Sequence, residues 1–226
     1  MTGFPAQAVA GAVIAATGLM IVTAAGGFDL SIGAVAVLCG AVSARLATCM
    51  PVILAVTVPI GLGVACGLIN GLLAHRWPPF LVTFGMLAAA QAITAWLPEN
   101  SAVAVAPIVT CAVAAGIAVG AHVVLAHTVW GFHVSFVGSN EDAAGHAGVD
   151  VARLRLWTYV VSGGLASVAG VTTAPPGNGL SLQVAAIGAV LLGGTTLKGG
   201  RGTVAATVLG AVAAGTALAA AHEWFR

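Results

Sequence analysis

The stretch Gly26–Val35, GGFDLSIGAV, sets Asp29 behind two glycines and directly before an apolar run. An aspartate at the centre of a lipid-facing helix costs about 2.5 to 3.5 kcal/mol on insertion scales. Asp29 is therefore expected outside any unbroken membrane helix. Gly26 and Gly27 can end one helix, and Asp29 can cap the next, its carboxylate accepting from the free N–H groups of Ser31 and Ile32 at the positive helix end. Broken helices with polar caps persist at membrane depth only when buried in protein or lining a water-filled cavity, which is why they mark transport sites. The plainer alternative is an interfacial cap and nothing more.

The rest of the chain sets the depth. Of its 226 residues, 60% are hydrophobic and only 6% charged, with a mean hydropathy of +1.09, whereas a soluble domain carries about 25% charged residues. The expected fold is an all-α polytopic membrane protein in which some segments are broken or re-entrant. Six acidic and seven basic residues leave a formal charge of +1, which gives no footprint for nucleic acid or acidic lipid as a partner. Cys39, Cys49, Cys66 and Cys111 stand singly in apolar runs and read as small core residues, without metal-site or disulfide spacing. Met1–Pro5 carries no basic residue and no small-residue cleavage pattern follows, so the first apolar segment is expected to stay in the mature protein.

Apolar runs long enough to cross, or partly cross, a bilayer lie at Ala6–Ala25, Ser31–Met50, Pro51–Ala74, Phe80–Leu97, Ala104–Val129, Leu156–Thr173, Val184–Leu197 and Thr203–Trp224. That makes about eight segments, Val184–Leu197 being too short to cross unbroken. They form one transmembrane domain over residues 1–226. Between them Glu141, Asp142, Asp150, Arg153 and Arg155 concentrate within residues 130–155, the one substantial aqueous segment. Placing Arg153 and Arg155 on the cytoplasmic side also puts His75–Arg76 and Lys198–Arg201 there, leaves Arg45 and Arg226 outside, and puts both termini outside. Ile32-Gly33-Ala34-Val35 recurs as Ile187-Gly188-Ala189-Val190, an echo of the internal repeats common in transporters or a coincidence of composition.

Four stretches then fall into one pattern: GGFDLSIGAV at Gly26, GLINGLLAHRWPPFLVTFGM at Gly67, VGSNEDAAGHAGVDVARLRLWTYVVSGGLASVAGV at Val137 and AAIGAVLLGGTTLKGGRGTVAATVLGA at Ala185. Together they resemble the membrane permease subunit of ribose-type ATP-binding-cassette (ABC) importers, within the family shared with branched-chain amino-acid permeases. The resemblance covers most of the chain, from about Gly18 to Gly215. It implies a multi-pass permease of the bacterial inner membrane that dimerises or pairs with a second permease and takes a monosaccharide such as ribose from an extracytoplasmic binding protein. A separate cytoplasmic ATPase would drive it, since no Gly-x-x-x-x-Gly-Lys-Ser/Thr phosphate loop occurs here. No cofactor is implied.

The Val137–Val149 stretch matches the family's coupling segment, a short helix that docks on the ATPase. The resemblance assigns that contact to Gly138, Ser139, Asn140, Glu141, Asp142, Ala143, Ala144 and Gly148. The residue types suit it: Ser139 or Asn140 can cap, Glu141 and Asp142 favour a first turn, and Ala143 and Ala144 permit close approach. A solvated loop is the alternative. The sequence departs from the family at Val129 and Phe132, where arginines are usual, and at Gly145 and His146, where a basic and a leucine-like residue are usual. It is also short, with about eight crossings against the family's ten or so, as loss of one helix at each end would give. The loop between Trp96 and Ala104 is short for the family as well.

Candidate residues for a translocation path are Asp29, Ser31, Asn70, Gln91 and Thr94. Asn70 lies within Gly67-x-x-x-Gly71, a small-residue spacing that also serves helix packing. Gln91 and Thr94 share a helical face and can offer hydrogen bonds either to sugar hydroxyls or to another helix. His122 and His127, five apart, lack metal-pair spacing. The glycines flanking Lys198 and Arg201 read as a tight turn rather than a phosphate site. Intramembrane catalysis has no paired carboxylates, Ser/His pair or His-Glu-x-x-His to support it. Two other readings remain: a permease for a nucleoside, another small polar metabolite or a branched-chain amino acid, and a non-transporting membrane scaffold.

Overall fold

A computed structural model describes residues 4–97, 105–173, 177 and 179–224. The described residues are helical, with no strand among them: α1 Phe4–Ala24, α2 Ile32–Ala47, α3 Val52–Leu73, α4 Pro79–Trp96, α5 Pro107–His127, α6 Val129–Ser139, α7 Glu141–His146, α8 Val151–Thr173, α9 Leu180–Leu192 and α10 Val204–Trp224. Parts of the Trp96–Ala104 loop, and Arg226, lie outside the described residues. Five helices, α1, α3, α4, α5 and α8, are long and apolar enough to cross a membrane. The chain is a polytopic membrane protein.

α1 and α8 form the core and run antiparallel: Ala25 meets Arg155, Gly18 meets Ser162, and Gly11 meets Thr173. α2 lies beside α8 and parallel to it, since Asp29 meets Ser162 and Ala36 meets Gly170. α3 packs antiparallel to α8 along Gly63, Gly67 and Gly71, which face Gly163, Tyr159 and Leu156. A Cβ on Gly67 would collide with the Tyr159 carbonyl, so only glycine lets the two backbones approach this closely. The pair Gly67 and Gly71 seen in the sequence is part of this longer ridge.

α2 and α9 are half-helices of 16 and 13 residues, about 24 and 20 Å long and shorter than the roughly 30 Å hydrocarbon core. α9 packs antiparallel to α10, where Gly210 abuts Ala189. The Ile-Gly-Ala-Val echo does not mark equivalent places: it opens α2 but lies deep in α9, seven residues beyond that helix's start. The match is compositional.

At the end of the bundle where α1 finishes and α8 begins, Gly26, Gly138, Ser139, Gly199 and Gly200 crowd together, and Gly200 N–H donates to the Ala24 carbonyl (3.0 Å). His75, Arg76, Asp150 and Arg153 line a cleft at the same end. Arg45, at the far end of α2, is remote from this junction because α2 runs away from it. Arg45 thus lies at the opposite end of the bundle from His75, Arg76 and Arg153.

Residues 129–139 are not the aqueous loop that their neighbours' charge suggested. They form α6, which buries Gly131, Val134 and Val137. Its amphipathic character is masked in the sequence because Val129 and Phe132 sit on the exposed face. The outward faces of α3, α4 and α5 carry Val52, Ile53, Leu72, Phe80, Phe84 and Ile108 in the open, as a surface for lipid or another apolar partner requires.

Candidate translocation site and coupling helix

α1 ends in a Schellman turn. Gly26 takes a left-handed conformation (φ 79°), its N–H donates to the Thr23 carbonyl and that of Gly27 to the Val22 carbonyl, which closes the helix as glycine best allows. Residues 25–31 then climb back into the bundle before α2 begins. A helix that starts inside protein exposes N–H groups with no water to bind them, and Asp29 of the linker and Gln183 of α9 supply acceptors for those of Ser31 and Gly33.

Asp29, 2% exposed, is the centre of this arrangement. Its Oδ1 accepts from the Ser31 N–H (2.9 Å) and the Ser31 hydroxyl (2.7 Å), and its Oδ2 accepts from the Ser162 hydroxyl of α8 (2.7 Å). The expected bond from Ile32 N–H is not formed; Ser31, not Asp29, is the cap residue of α2 and the carboxylate turns toward α8. Asn70 Nδ2 of α3 donates to Ser31 Oγ (3.0 Å). Gln183 of α9 accepts from Gly33 N–H (2.8 Å) through Oε1 and donates to the Asp29 carbonyl (3.4 Å) through Nε2. One residue before Asp29 in the linker, the Tyr159 hydroxyl accepts from the Phe28 N–H (3.3 Å) and donates to the Phe28 carbonyl (3.2 Å).

Of the five path candidates, the structure gathers Asp29, Ser31 and Asn70 and separates Gln91 and Thr94. The first three are buried in the bundle, and Asn70 also borders the groove between α3 and α4. Asn70 Oδ1 is buried and has no hydrogen-bond partner among the described residues. Gln91 and Thr94 instead line a cleft of about 180 Å³ with Ala34, Val37, Ala95 and Gly177. The Thr94 hydroxyl donates to its own helix at Ala90 (2.8 Å), which leaves its oxygen able to accept. Ser162 and Gln183 were missed in the sequence, as was the role of Tyr159.

The eight coupling candidates also divide. Gly138 and Ser139 end α6 rather than opening the next helix, and Ser139 Oγ donates back to Ser135 (2.7 Å). Asn140 is the cap of α7, its Oδ1 accepting from Ala143 N–H (3.0 Å). Gly148 (φ 86°) closes α7 in a second Schellman turn, in which Val149 N–H reaches the Ala144 carbonyl (3.0 Å). Ala144 is fully buried, so its methyl holds α7 to the bundle and is not an outward contact. Asp142, Gly145, His146 and Gly148 form the exposed side. Glu141 is clamped by Arg155 in a bidentate pair (2.9 and 2.7 Å), and Arg155 Nε donates to the Ala25 carbonyl (3.4 Å).

Arg155, Tyr159 and Ser162 therefore form one stripe of α8, spaced as neighbours on a helix face, and grip α7, Phe28 and Asp29 in turn. The stripe spans about 10 Å along the axis. His122 and His127 meet edge to face with ring centroids 6.1 Å apart, closer than their spacing suggested, yet no group of three metal-binding side chains exists among the described residues.

Residues 6–226 match the family described as the permease component of branched-chain amino acid transport systems. The chain belongs to this family. The permease is 32% identical to a fructose import permease of Rhizobium meliloti over 92% of this chain and 66% of the relative. It is 29% identical to a ribose import permease of Escherichia coli K12, over 89% of this chain and 71% of the relative. A galactofuranose transporter permease of the same strain is 33% identical, over 87% and 65%. The permease thus spans about two thirds of the length of these relatives. No solved structure matches it.

Proposed function

We propose that this permease is the membrane-spanning subunit of an inner-membrane ABC importer for a monosaccharide. A binding protein would deliver the sugar from outside and a separate cytoplasmic ATPase would power its passage between two permease copies. Relatives named for fructose, ribose and galactofuranose support sugar as the substrate class. The cleft bearing Gln91 and Thr94 supplies hydrogen-bonding groups suited to hydroxyls.

The observation that carries this reading is α7: a separately capped helix of six residues, clipped to α8 by Glu141–Arg155 and presenting Asp142, Gly145, His146 and Gly148 at the basic end of the bundle. The basic end is the cytoplasmic one. Displacement of α7 by the ATPase would pull on α8, whose next contacts are Phe28 and Asp29 at the break before α2. That mechanical route couples ATP hydrolysis to the half-helices without any covalent chemistry in this chain.

The test is uptake of labelled ribose, fructose and galactose into proteoliposomes holding the permease, its genomic-neighbour ATPase and binding protein. ATP-dependent accumulation of at least one sugar is expected. Accumulation of a branched-chain amino acid instead would move the substrate class, and no accumulation of any solute by a folded complex would favour the scaffold reading.

A further inference from the structure

The junction end carries a second cleft, apart from the one bearing Gln91 and Thr94. His75 and Arg76, just beyond α3, and Asp150, Ala152 and Arg153, where α8 starts, line a cleft of about 530 Å³ floored by Gly71 and Leu156. Arg76 and Arg153 both stand exposed, and neither has an ion-pair partner among the described residues. Asp150 opposes them in part, but its Oδ1 is committed to the Arg153 N–H (2.9 Å) at the start of α8. Two guanidiniums against one carboxylate leave the cleft cationic.

Directly along α3 from these cations stand Leu72 and Leu73, 57% and 45% exposed, and Trp77, 58% exposed, lies beside them. Leu73 and Trp77 also border an apolar groove of about 390 Å³ between α3 and α4, with Ile69, Leu81 and Met86. Leu73 is common to both hollows. The order is cations at the end, an aromatic at the boundary, and apolar surface below. A bilayer presents its phosphate, interface and acyl layers in that sequence.

We propose that this cleft binds the headgroup of an anionic phospholipid, Arg76 and Arg153 holding the phosphate while one acyl chain lies along the α3–α4 groove. The continuity of the cationic cleft with an exposed apolar groove favours a lipid over a free anion, which would gain nothing from Leu72 or Leu73. A basic pocket between helices at the cytoplasmic face is the general form of such sites. The inference rests on the membrane location of the chain alone and stands whether or not the permease transports sugar.

The experiment is native mass spectrometry of the whole chain in a neutral detergent, titrated with phosphatidylglycerol or phosphatidylcholine. Phosphatidylglycerol is expected to be retained preferentially. Arg76→Gln with Arg153→Gln should weaken it about thirtyfold, equivalent to about 2 kcal/mol for two cations at an anionic surface. Asp150→Asn should strengthen retention, because asparagine caps α8 equally well while removing the opposing charge. This arm remains readable if the double variant fails to fold. Arg45→Gln, at the opposite end, should change nothing. Equal retention of both lipids, or undiminished retention by a folded double variant, overturns the proposal. Displacement of phosphatidylglycerol by excess inorganic phosphate would identify a free-anion site and also overturn it.

Discussion

Replacing Asp29 by alanine removes the acceptor for three donors at once, the Ser31 N–H, the Ser31 hydroxyl and the Ser162 hydroxyl. The two hydroxyls can rotate toward other carbonyls, so each loss is small, about 0.6 to 1.7 kcal/mol for a hydrogen bond between membrane helices. The Ser31 N–H cannot rotate, and a buried unpaired N–H costs about 1 to 3 kcal/mol. Asp29→Ala is therefore expected to lower stability by about 2 to 6 kcal/mol. Asp29→Asn keeps the Oδ1 acceptor and presents an amide that Ser162 Oγ can accept from, so it should stay within about 1 kcal/mol of the parent. Reversible unfolding in mixed micelles, by titration with a denaturing detergent, measures both. If Asp29→Ala unfolds at the same midpoint as the parent, the carboxylate does not hold the break between α1 and α2, and the account of this site fails.

Gln183→Leu should cost about 1 to 3 kcal/mol in the same unfolding assay by orphaning the Gly33 N–H. Gly67→Ala drives a methyl into the Tyr159 carbonyl and should destabilise by about 1 to 3 kcal/mol, whereas Gly61→Ala, with open space around it, should be neutral or slightly stabilising in parallel melts. Glu141→Gln breaks a pair that is 26% exposed on arginine and 52% on glutamate, so stability should shift by under about 1 kcal/mol. ATPase stimulation by sugar-loaded binding protein should nevertheless fall, because α7 loses its clip to α8.

The apolar segments were legible because hydrocarbon imposes a length and a composition that few other environments demand. Asp29 was legible for the complementary reason: a carboxylate in such a chain must be satisfied somewhere. Its partners were not. Ser162 sits in a run of glycine, alanine and valine where nothing local separates it from Ser167, and only the antiparallel approach of α1 and α8 selects it. Tyr159, the single tyrosine of the chain, and its spacing to Arg155 were the available signal for the α8 stripe. α6 was missed because the charges after it were weighed over a window that included it. Ala144 was misplaced because composition shows that a small residue permits approach, without showing from which side. Gln91 and Thr94 share a face as expected, but α4 turns that face toward Ala34 and Val37 of α2 rather than toward Asp29.

The central claim, that α7 is where the ATPase engages, is tested most directly by site-specific crosslinking. A photoreactive residue placed at Gly145, which is exposed and has open space around it, would be irradiated in membranes containing the permease and its ATPase. A permease–ATPase adduct is expected, and Asp142→Arg with His146→Glu on the same exposed face should abolish it. The same probe at Gly61, on α3, should give no such adduct. Crosslinking from Gly61 but not from Gly145, or from neither while the two subunits co-purify, would contradict the claim.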